Sequence, residues 1–100
     1  METVQAIAKV RFASSRPQRV HLARNEAYRV EMLCMEAAQQ LHVEAGPWAY
    51  YVVMGKVRLT AGGRSQELSA GQFAASGPRE EHRLVNVGEG RLVCLAVGPG

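Results

Sequence analysis

The sequence predicts an all-β domain, a sandwich or barrel of short strands, on three observations. Apolar residues recur with period two or in short runs, and a Gly or Pro separates nearly every run from the next. The chain is 100 residues long, enough to bury one core and too short for two, so residues 1–100 are expected to form a single domain.

Arg29–Met35 alternates, placing Val30, Met32 and Cys34 on one face and Arg29 and Glu31 on the other. Leu41–Glu44 continues as extended chain until Gly46-Pro47, where proline removes a backbone donor and restricts its predecessor. Ala49–Met54 is a continuous β-favouring run, short enough for a strand buried on both sides. After Gly55, Lys56–Thr60 alternates, and Gly62-Gly63 marks a hairpin. Gln66–Ser69 leads to a turn at Ala70-Gly71, Gln72–Ala75 is a short strand, and Ser76-Gly77-Pro78 breaks the chain. His82–Val87 resumes with His82, Leu84 and Asn86 on one face. Gly88–Gly90 turns, and Leu92–Val97 is a last buried strand. The first 18 residues are less patterned: Ala6–Lys9 reads as a helical turn or an edge strand, and Ser14–Pro17 as a loop.

Composition is that of a globular protein, 47% hydrophobic and 21% charged. The formal net charge of +3 comes from Lys and Arg residues scattered among glutamates, which fits a solvated basic surface and predicts no nucleic-acid groove. No apolar run approaches the ~18 residues of a membrane span. The N-terminus lacks a basic segment followed by a long apolar one, so no membrane association and a cytoplasmic location are expected. Cys34 and Cys94 sit in apolar segments with no metal spacing, and are expected as buried thiols. The sequence leaves open whether their strands are neighbours and the two thiols pair. Ser65, Ser69 and Ser76 fall in loops with no evident base beside them, so no catalytic nucleophile is expected.

Two segments resemble the paired motifs of the cupins. His42-Val-Glu44 through Trp48-Ala-Tyr-Tyr-Val-Val-Met-Gly55 is similar to the first motif. Gly71, Gly77-Pro78, His82 and Asn86 follow the second, with the family's interval from Gly71 to His82. The likeness covers about residues 28–98 and implies a double-stranded β-helix, or jelly-roll barrel. Metal-binding cupins take two His and a Glu from the first motif and one His from the second, a set that suits divalent transition metals. Counting back from Gly55 puts Trp48 at the Glu position, Glu44 at the second His and His42 at the first. Arg79 replaces the second motif's glycine.

The resemblance therefore implies one divalent metal (Fe, Mn, Ni, Cu or Zn) held by His42, Glu44 and His82, or no metal at all. Gln40, Trp48, Tyr50 and Asn86 would line the pocket. A small polar ligand bound in the barrel is one implied function. A mononuclear metal enzyme of dioxygenase or isomerase type, using His42, Glu44 and His82, is the alternative. Trp48 weighs against metal, since an indole in place of a carboxylate removes negative charge and dries the site. A homodimer formed through sheet faces or edges is also implied.

Overall fold

The computed structural model describes all 100 residues. Nine strands follow a single turn of 3-10 helix at Ala6–Lys9: β1 (Gln18–Arg24), β2 (Tyr28–Met35), β3 (Gln40–Val43), β4 (Ala49–Met54), β5 (Lys56–Ala61), β6 (Arg64–Ser69), β7 (Phe73–Ala75), β8 (His82–Asn86) and β9 (Leu92–Pro99). They pair antiparallel throughout, in a five-stranded sheet of order β1-β2-β9-β4-β7 and a four-stranded sheet of order β3-β8-β5-β6. The all-β class and most strand positions match the sequence pattern. No helix is long and apolar enough to cross a membrane.

Strand alternation sends one set of side chains between the sheets: Leu33 and Met35 from β2, Tyr50 and Val52 from β4, Val57 and Leu59 from β5, Leu84 from β8, and Leu92, Cys94 and Ala96 from β9. Each large aliphatic or aromatic side chain in this set contributes about 1.5–3 kcal/mol by leaving water. The opposite face of the five-stranded sheet carries a second, thinner layer. There Val20, Met32, Cys34 and Val93 are covered by Ala6, Val10 and Phe12 of the N-terminal segment. Gln39 ties that segment down through its Nε2, which donates to the Ala13 carbonyl at 2.7 Å.

Leu33 pairs with Cys94, and Cys34 with Val93. Alternation therefore puts the two thiols on opposite faces of the sheet, Cys94 in the barrel and Cys34 in the outer layer, and both are free. Gly55, between β4 and β5, has φ +91°, and a Cβ there would lie 2.6 Å from the Arg91 carbonyl oxygen. Only glycine meets both conditions.

The sheets part along one side. β6 ends the four-stranded sheet and β7 ends the five-stranded one, so neither has a partner on its outer edge. β8, by contrast, is held on both sides, by β3 and β5. The inward residues of β8 are thus fixed on a rigid platform inside the barrel.

Candidate functional site

His82, Leu84 and Asn86 all point into the barrel, as their shared face requires. His82 is 1% exposed, and both ring nitrogens are engaged. Nδ1 lies 2.7 Å from the Tyr50 hydroxyl, and Nε2 lies 2.5 Å from Ser76 Oγ. The Tyr50 and His82 rings meet edge to face, 5.7 Å between centroids. Burial lowers the His82 pKa, and the negative charges of Glu80 and Glu44 offset only part of that, so the imidazole is neutral at pH 7. Burial likewise raises the Tyr50 pKa, keeping the phenol protonated. Ser76 is anchored through its own N–H, which donates to the Trp48 carbonyl at 3.0 Å.

Ser76 opens onto a cavity of about 610 Å³ between β6 and β7. Leu59, Ala61, Ala74 and Ala75 give it an apolar wall, while Arg64, Gln66 and Glu80 line the polar side. Sequence reasoning left Ser76 without a base, and this is corrected: the turn at Gly77-Pro78 brings it back onto the His82 ring six residues later. No spacing rule encodes that contact, because it depends on the path of the turn.

The other expected site residues divide. Tyr50 belongs to the site through its bond to His82. Asn86 is buried, but its side chain is spent on the fold: Nδ2 donates to the carbonyls of Met35 (3.1 Å) and Gly90 (2.9 Å), and Oδ1 accepts from the Gly88 N–H (3.0 Å). Gln40 and His42 lie on the outward face of β3, Glu44 follows its end, and all three are exposed. The inward residues are Leu41 and Val43, and Val43 stands directly opposite His82 in the β3–β8 register. Burying Leu41 and Val43 decides the parity of the strand, and Gln40 and His42 turn to solvent. His42 borders only a shallow pocket of about 200 Å³ near the β5–β6 hairpin, which also touches Glu81 and His82.

Glu44 has a separate role on the surface. Its carboxylate bridges Arg29 (2.5 Å) and Arg19 (3.3 Å), and Arg19 also pairs with Glu31 at 2.7 Å. Partial burial pushes the Glu44 pKa up, but its own backbone N–H and the two arginines prevail and hold it below the ordinary value. Beneath this group lies Trp48, 1% exposed, with the Arg29 and Arg19 guanidiniums 4.9 and 5.6 Å from its ring centroid. Trp48 also stacks on Tyr50 at 6.2 Å and covers Gly98, so it is core rather than cavity wall.

A comparison with protein families matches residues 29–98 to the cupin domain. The chain belongs to the cupin family. The match covers the two sheets from β2 to β9, and the double-stranded β-helix expected from the resemblance is the fold observed. This cupin is similar in structure to the TT1209 protein of Thermus thermophilus, with a TM-score of 0.89 and 16% identity over 99% of this chain and 98% of that one. A Klebsiella pneumoniae protein with a double-stranded β-helix domain superposes with a TM-score of 0.86 and 21% identity, covering 100% and 91% of the two chains. An RmlC-like cupin of Desulfovibrio desulfuricans gives 0.80 and 18%, covering 99% and 97%. At these identities the likeness establishes the fold alone. No curated protein matches the sequence significantly.

Cupins often hold a metal, so the donors of this cupin have to be tested against one. Nowhere do three His, Cys, Asp or Glu side chains converge. Inside the barrel His82 faces Val43 and its two nitrogens are bound to hydroxyls, while His42 is on the outward face of β3 and Glu44 is held by Arg19 and Arg29. This donor set does not fit a mononuclear transition-metal centre, which needs three or more N, O or S ligands converging from one side.

Proposed function

We propose that this cupin binds a small polar ligand in the cavity between β6 and β7, without a metal at His82. One observation carries the reading: the Tyr50–His82–Ser76 chain, whose last hydroxyl opens onto a 610 Å³ cavity with a mixed polar and apolar wall. That combination of an apolar wall with a few convergent polar groups is what small-molecule sites generally show. The metal-enzyme alternative on His42, Glu44 and His82 has no converging donor set to support it.

The test is a thermal-shift screen of small polar metabolites against the full chain, with and without EDTA. A ligand at 100 times its Kd adds about 2.7 kcal/mol to stability, a rise of roughly 10–20 °C for a domain of this size. The rise is expected to survive EDTA and to disappear in Ala74→Phe, which fills the cavity. A shift that appears only with added divalent metal, or none from the whole panel, would count against the reading.

We propose the outer face of the five-stranded sheet as the interface of the homodimer that the resemblance implies. Phe73 (62% exposed) pairs with Tyr51 (44%), and Met54 and Val97 lie exposed on the same sheet. Light scattering on a size-exclusion column is expected to give twice the chain mass, falling to the monomer in Tyr51→Glu. A monomeric wild type would exclude the dimer.

A further inference from the structure

The direction of the hydrogen bonds through His82 follows from counting donors. Tyr50 is 1% exposed, and its hydroxyl has one partner, His82 Nδ1. If Nδ1–H donated to that oxygen, the phenolic hydrogen would be buried with nothing to bond, at a cost of about 1–3 kcal/mol. The arrangement that satisfies every group has Tyr50 donating to Nδ1, which places the imidazole proton on Nε2. Nε2–H then donates to Ser76 Oγ, and the Ser76 hydroxyl hydrogen is left to point into the cavity. Each bond polarises the next, so this hydrogen is a stronger donor than that of an isolated serine.

The rest of the cavity supplies the complement. Arg64 lines it and enters none of the chain's ion pairs. Gln66 adds a further amide, and Leu59, Ala61, Ala74 and Ala75 supply a short apolar wall. Ser65 is occupied by Thr60, at 2.8 Å. Glu80 is the one carboxylate on the wall, and its oxygens rest over the turn glycines Gly62 and Gly77. Two directed or cationic donors beside a small aliphatic surface are what a carboxylate with a short hydrocarbon body requires.

We propose that the ligand of this cavity is a small monocarboxylate, its oxygens bound by the Ser76 hydroxyl and the Arg64 guanidinium. The assignment rests on the cavity reading above and deepens it. Glu80 faces the same space, so it opposes the anion and limits affinity.

The experiment is an amide-resolved NMR titration of the full chain with butyrate and benzoate, each beside its primary amide. The acids are expected to shift residues 74–77 and to bind at least about tenfold tighter than the amides, since hydrogen bonds to a charged group are the stronger kind. Ser76→Ala and Arg64→Gln are each expected to weaken the acids about tenfold or more and to leave the amides nearly unchanged. Glu80→Gln is expected to tighten the acids. Nitrogen shifts of the His82 ring are expected to show the proton on Nε2. Amides that bind as tightly as the acids would overturn the carboxylate assignment while leaving the cavity as a ligand site. A ring proton on Nδ1 would overturn the donor chain. If neither acid nor amide moves residues 74–77, the carboxylate assignment falls and the cavity reading loses its support.

Discussion

Asn86→Ala should be among the most damaging single substitutions in this chain, although Asn86 sits on the same inward face as His82. Its side chain makes three hydrogen bonds, to the Met35 and Gly90 carbonyls and from the Gly88 N–H, and so joins the end of β2 to the β8–β9 turn. Each such bond contributes about 1 kcal/mol net, and more where a buried partner is left bare, so alanine should cost about 2–4 kcal/mol. For a domain of this length that is a fall in Tm of roughly 10–25 °C. Asn86→Asp separates hydrogen bonding from shape. It keeps the acceptor for Gly88 but turns an anionic oxygen toward two carbonyls, and should be at least as unstable as alanine at pH 7. The assay is thermal and guanidinium denaturation by circular dichroism, with both variants beside wild type and coincident transitions checked. An Asn86→Ala protein melting within about 3 °C of wild type would refute the reasoning, and Asn86 would return to the list of ligand-binding candidates.

Other consequences follow from the same packing. In Gly98→Ala, the new Cβ would fall 2.5 Å from two atoms of the Trp48 ring, so the indole must move. Overpacking of this kind costs about 1–3 kcal/mol, read as a lower guanidinium midpoint with altered Trp fluorescence; an unchanged midpoint and spectrum would refute the contact. The lowered His82 pKa makes stability pH-dependent in a definite direction. The unfolded chain binds the proton more readily than the folded one. Stability is therefore full above the ordinary histidine pKa of about 6.5 and is lost as pH falls below it toward the folded value. Wild-type Tm should drop between pH 7.5 and 5.5 by more than that of His82→Gln, and equal drops would remove His82 as the cause.

Much of the barrel was legible because its strands obey period two and its turns fall at glycine and proline. The inward face of β8 was read correctly for the same reason, since Leu84 lies between His82 and Asn86 and has to be buried. The parity of β3 was left open by the motif. Counting from Gly55 assigned His42 and Glu44 to motif positions without settling which face of the strand turns inward, and Leu41 and Val43 are the residues that gain from burial. The signal was present in those two side chains, and the apolar alternation should have outweighed the motif count. Ser76 had no such signal. Its contact with His82 closes across Gly77-Pro78, and only the folded turn reveals it. Trp48 was recognised as incompatible with a carboxylate role, but its two arginine neighbours come from β1 and β2, far away in sequence.

The central claim is that His82 serves a hydroxyl chain at a ligand cavity rather than a metal. It is tested most directly by elemental analysis of protein purified without a histidine tag, beside the same preparation of His82→Ala. The structure predicts far less than one equivalent of Fe, Mn, Ni, Cu or Zn in both. A stoichiometric metal in wild type that vanishes in His82→Ala would contradict it.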